Sequence, residues 1–162
     1  MKKLMILSVP LVIICTLLLF LYGSSVKAQS KREIREKFEI ASSNLRFMNL
    51  YNSGQFDSIG LIYLDNACLM TDLPSTINGR KAIVDYNKQG YIQGLRFSNI
   101  KTVSRNISDS YAVERGVWAL SFASAPLATG IFINQWHYIN GQWWIENAIS
   151  KTDKTINQEA YK

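Results

Sequence analysis

After Gly94 the chain runs through four long segments, residues 95–105, 110–123, 130–139 and 142–150, all rich in Val, Ile, Phe, Trp and Thr. They are parted by "NISDS", "SAPLATG" and "NGQ". β-Branched and aromatic side chains suit a pleated, half-buried surface, whereas Asn, Gly, Ser and Pro suit turns. Connections this short join antiparallel neighbours and cannot carry a crossover, so the pattern predicts a β-meander. A sheet of such large side chains needs a cover.

The preceding residues supply one. Ser30 with Glu33 three positions on has capping-box spacing, and Ile34, Phe38, Ala41, Leu45 and Met48 recur at helical steps. Ile40, Phe47 and Tyr51 widen that stripe, and "NSG" at residues 52–54 ends it. Asp57 opens a shorter helix bearing Ile59, Ile62 and Tyr63; "NACLMT" reads as a strand and "DLPSTINGR" as a loop. A third helix is predicted from about Arg80, with Ala82, Ile83 and Tyr86 inward, ending near Gly90 or Gly94. Helices first and strands afterwards predict an α+β domain with helices on one face of a curved sheet.

Alternation along the last two strands predicts which side chains look inward. Trp143, Ile145, Asn147 and Ile149 share one face, Gln142, Trp144, Glu146 and Ala148 the other. In the strand before, Phe132, Asn134, Trp136 and Tyr138 alternate with Ile131, Ile133, Gln135 and His137. Both faces carry large apolar groups, so a second copy is expected to cover the outer one as a homodimer. Asn134, polar on an apolar inward face, is the candidate anchor for a small hydrophobic ligand. Trp136 and Trp143 read as cavity wall or as plain core. Arg80, at a helix start, reads either as an anion contact or as a solvated arginine. Glu114 is placed inward by parity with Trp118.

Residues 1–28 read as a signal peptide: Lys2 and Lys3, an apolar run from Leu4 to Tyr22, then Val26 and Ala28 at the −3 and −1 positions. Cleavage after Ala28 is the expected outcome, giving an exported protein, periplasmic or secreted. An uncleaved membrane anchor is the alternative. A lipoprotein at Cys15 is disfavoured by Ile14 before it. Residues 29–162 form one predicted domain. It carries 15 basic against 12 acidic residues, about +3, with no basic-aromatic stripe, so nucleic acid is not an expected partner. Cys68 is then the sole cysteine and reads as a buried hydrophobe. No metal-ligand spacing and no cofactor loop is present.

The order "YNSGQFDSIGLIYLDNACLM", "INGRKAIVDY", "SYAVERGVWAL" and "FINQWHYINGQWWI" resembles the nuclear transport factor 2-like superfamily, in particular its SnoaL-like branch, over residues 31–151. The resemblance implies a cystatin-like cone of three N-terminal helices packed on a strongly curved antiparallel sheet, often dimeric, with a pocket at the open end. It also brings in ketosteroid isomerase, which uses an Asp base and an oxyanion hole of Tyr and protonated Asp. Ungapped from Gly54, its Tyr position falls on Phe47, its base on Thr71 and its second oxyanion group near Asn134. Phe47 has no proton to donate, Thr71 takes none near neutral pH, and Asp72 is turned to the opposite face. The expected function is therefore a small-molecule-binding domain with an apolar pocket. One alternative is an isomerase, dehydratase or cyclase on a small carbonyl compound, with Asp72 or Glu114 as base. The other is a dimeric accessory domain without ligand.

Overall fold

The computed structural model describes residues 21–24, 39–40 and 42–155. The leader's charged start, Cys15, the cleavage site at Val26–Ala28 and Ser30, Glu33, Ile34, Phe38 and Ala41 lie outside these described residues. The chain forms two compact units, Met1–Glu36 and Lys37–Lys162. In the first, residues 21–24 are helical. No helix among the described residues is long and apolar enough to cross a membrane.

The second unit holds helix α1 (residues 42–52), the short helix α2 (Phe56–Gly60) and α3 (Arg80–Ile92). Its strands are β1 (Tyr63–Met70), β2 (Ile77–Asn78), β3 (Leu95–Ser108), β4 (Tyr111–Phe122), β5 (Ala125–Ile139) and β6 (Gln142–Thr155). They form one six-stranded sheet in the order β2-β1-β6-β5-β4-β3. The predicted meander is β3 to β6, antiparallel throughout. The sheet as a whole is mixed rather than antiparallel, because β1 runs parallel to β6. The expectation of three N-terminal helices is also not matched: α2 is a single short turn, and α3 follows two strands.

Several local readings change for identifiable reasons. Tyr63 was expected on the second helix, but that helix stops at Gly60 and the backbone N–H of Ile145 bonds to Ile62 O, so Tyr63 begins β1. "SAPLATG" is strand from Ala125 onward, because Ala123 and Ser124 both take positive φ (47° and 68°) and turn the chain within two residues. Ile40, just before α1, and Asn44 and Tyr51 on it are buried, while Leu45 is 58 % exposed. The helix is rotated from its most apolar stripe because Asn44 is drawn inward by hydrogen bonds to Thr102 and Glu114.

Inward parity holds at Phe132, Asn134 and Trp136 on β5 and at Trp143 and Ile145 on β6. It then reverses. Trp136 pairs with Ile145 but Gln135 pairs with Asn147, so β6 carries one extra residue there. Ala148 becomes the next buried residue, and Asn147, expected inward, donates instead to Gln135 Oε1 at 2.9 Å. His137 stacks on Tyr111 on the same outer surface, 4.2 Å between centroids. The core gathers in two clusters, a larger one around Trp136, Ile83 and Tyr51 and a smaller one of Trp118, Leu127, Ala128 and Phe132.

Candidate functional site

Both clusters contribute to the wall of one cavity of about 910 Å³. That volume lies in the range of small-molecule sites. Phe47 and Tyr51 of α1 meet Phe97 of β3 edge-on, with centroids 5.6 and 4.9 Å apart, and form one side. Trp118 and Phe132 form another, each lying over a glycine on the neighbouring strand: Trp118 pairs with Gly130 and Phe132 with Gly116. Without those two glycines the rings would not lie flat on the sheet.

The residues singled out from sequence separate into those on the cavity and those elsewhere. Phe47, Thr71, Asp72 and Asn134 line it. Trp136 does not; it is fully buried core. Trp143 is also core and borders a smaller cleft of about 280 Å³ with Ser42, Ser43 and Arg46, its indole N–H buried without a hydrogen-bond partner. Of the two readings, cavity wall or plain core, both indoles take the second, and the wall's indole is Trp118, which the alternation of β4 also places inward. Arg80 lines neither of these two cavities: Nε donates to Tyr63 O at 2.8 Å, the guanidinium pairs with Asp65 at 2.7 Å and lies 5.5 Å over the Trp144 ring.

Asn134 is 9 % exposed, and its side-chain amide has no hydrogen bond to any described residue. Tyr63, which sequence reading assigned to a helix, is its counterpart: it is 6 % exposed, lines the same cavity, and its hydroxyl has no described partner. Burial pushes that hydroxyl's pKa far above the ordinary tyrosine value, so it stays protonated across the neutral range. The other buried polar groups of the wall are engaged. Asn44 Nδ2 bonds Glu114 and Thr102, Thr71 Oγ1 accepts from Leu73 N–H, Asn87 Nδ2 donates to Ile83 O and Trp118 Nε1 to Ile131 O.

Glu114 sits beside Asn134 across the β4–β5 ladder but is wholly buried behind the wall. Oε1 accepts from Asn44 Nδ2 (2.9 Å), Thr102 Oγ1 (2.7 Å) and Arg105 (2.5 Å), and Oε2 from Trp136 Nε1 (3.2 Å). Both carboxylate oxygens are thus taken up by donors of the protein itself. Asp72 stands half-exposed on the rim. Its carboxyl is held below the ordinary carboxylate range, first by the Thr152 hydroxyl (2.6 Å), then by the Thr152 N–H (3.0 Å), with Lys151 adding at 3.6 Å. Lowering the pKa weakens it as a base. Among the described residues no three His, Cys, Asp or Glu side chains gather as a metal site.

No family model matches the sequence, and no curated protein matches it either. Solved structures do. A protein of unknown function from Mycobacterium tuberculosis superposes with TM-score 0.67 at 18 % identity, covering 77 % of this chain and 76 % of that one. A nuclear transport factor 2-like protein with a cystatin-like fold from Novosphingobium aromaticivorans gives 0.66 at 13 %, covering 83 % and 90 %. A protein from the same organism named provisionally as a scytalone dehydratase gives 0.65 at 14 %, covering 80 % and 92 %. The likeness shows the fold: a cystatin-like, nuclear transport factor 2-like architecture of a six-stranded mixed sheet plus helices.

Proposed function

We propose that the chain is a small-molecule-binding domain that holds an apolar ligand in the cavity between helix α1, helix α3 and the sheet. The observation that carries the reading is Asn134, a nine-tenths buried amide without a described protein partner on the wall of an aromatic-lined hollow. A buried polar group left without a hydrogen bond costs about 1–3 kcal/mol, and a ligand is the partner such a site is built to receive. The sequence-based reading of residues 1–28 as a cleaved leader makes this an exported domain, residues 29–162, periplasmic or secreted.

Native mass spectrometry of the protein isolated from its own cells is the direct test. An added mass is expected, and Ala128→Phe, which places a ring into the wall, is expected to remove it. A bare mass for the natural protein would sink the reading.

The dehydratase name of one structural neighbour raises an enzymatic alternative. It needs a base at the cavity, and the two candidates do not supply one: Asp72 is clamped at the rim by Thr152, and Glu114 is saturated behind the wall. The accessory-domain alternative is supported less, because the cavity is open and large.

We propose further that a second copy covers the outer face of the sheet. Val103, Tyr111, Val113 and Ile131 are each 43–56 % exposed there. Sedimentation is expected to give a dimer, and Ile131→Lys a monomer; a monomeric natural protein at micromolar concentration would rule this out.

A further inference from the structure

We infer that the cavity takes an uncharged molecule bearing a hydrogen-bond acceptor, received by the Tyr63 hydroxyl and the Asn134 amide. The inference rests on the ligand-binding reading above and names the class of ligand that site admits.

Charge decides the first half. Among the described residues lining the cavity there is no Lys, no Arg and no Glu, and the one Asp, Asp72, lies at the rim with Lys151 and Thr152 already on it. The buried ion pair nearby does not help an anion, since Arg105 is engaged with Glu114. A charged ligand would give up its hydration against Phe47, Phe97, Trp118 and Phe132 with no counter-ion to replace it. That penalty is several kcal/mol even after relaxation. An uncharged molecule escapes it.

Hydrogen bonding decides the second half. Of the buried polar residues on the wall, Tyr63 and Asn134 alone lack a hydrogen bond to a described residue, and neither is sealed from the void. A protonated phenol donates, and so does a carboxamide N–H. Their places in the sheet fix the spacing. Tyr63 pairs with Ile145, whose neighbour on the far side is Trp136, and Asn134 pairs with Ala148, so β6 runs between them with an offset of two residues along β5. Strand geometry sets their Cα atoms about 12 Å apart. Side chains of that reach converge on oxygen atoms of one molecule lying across β6, such as a ring compound with carbonyl groups.

The test uses Prodan, a neutral naphthyl ketone whose emission reports hydrogen bonding to its carbonyl, and the matching dimethylaminonaphthoate anion. The natural protein is expected to bind the ketone at least about tenfold more tightly than the carboxylate. Tyr63→Phe and Asn134→Leu are each conservative in volume. At least one is expected to weaken Prodan binding about fivefold and move its bound emission to the blue, as one hydrogen bond is lost. Equal or tighter binding of the carboxylate overturns the uncharged class. Unchanged Prodan affinity and emission in both variants overturns the donor assignment. No binding of either probe to the natural protein overturns the cavity-binding reading itself, a result distinct from both.

Discussion

Gly130→Ala is expected to lower the stability of the fold by about 3 kcal/mol or more, read as a lower urea midpoint. A Cβ at Gly130 would lie 2.1 Å from Trp118 Cζ2 and 2.3 Å from the backbone oxygen of Lys151. The ring is tied by its indole N–H to Ile131 O and the carbonyl belongs to β6, so neither steps aside like a lysine tip. Gly116→Ala repeats the experiment one rung away, with 2.2 Å to Phe132 Cζ and 2.5 Å to Lys101 O. Pairing Gly130→Ala with Trp118→Leu is expected to recover only part of the loss, because the carbonyl contact remains. A cost under about 1 kcal/mol for either single change would show that the rings do not lie over the glycines.

The second large effect is at Glu114. Glu114→Ala is expected to destabilise by about 3–5 kcal/mol, because it removes the carboxylate paired with the Arg105 guanidinium, whose side chain is 10 % exposed, and unmakes bonds from Asn44, Thr102 and Trp136 at one stroke. The sign of the partner experiment is opposite. Replacing both, Glu114→Leu with Arg105→Leu, is expected to restore much of the stability, since the desolvation of both charges disappears together. Urea melts of the two singles and the double form the cycle. If the double is no better than the singles, the pair is not the centre of that network. Glu114→Ala also leaves Asn44 held by Thr102 alone, so α1 is expected to lose protection from amide exchange more than β4 does.

How much of this was legible in residues depends on how local the determinant is. The β3–β6 meander was legible because turn chemistry and strand composition coincide: Asn140 (φ 53°) and Gly141 (φ 83°) turn the chain where "NGQ" says they should. Asn134 facing the cavity followed from simple alternation. What was not legible came from events between strands. The extra residue opposite Gln135 and Trp136 reverses the faces of β6 beyond Ile145, and no pattern within "WWIENAI" announces it. Tyr63 was missed because its strand is defined by a parallel partner some eighty residues later, at Ile145. The rotation of α1 was hidden likewise: Leu45 looks like core until Glu114 is known to draw Asn44 inward. A signal for Trp118 did exist, the spacing of Gly116, Trp118, Gly130 and Phe132, which places a small residue opposite each ring once the hairpin is aligned.

The position of β6 between β1 and β5 has a consequence for how the chain is made. Until β6 has left the ribosome, Tyr63–Met70 has no neighbour on that side and is not joined to the β3–β5 ladder. Before then the β3–β5 ladder can form, but without the strand that ties it to β1 part of its apolar surface stays uncovered. Emergence of β6, rather than growth of the β3–β5 ladder, is therefore the event that joins the two parts of the sheet.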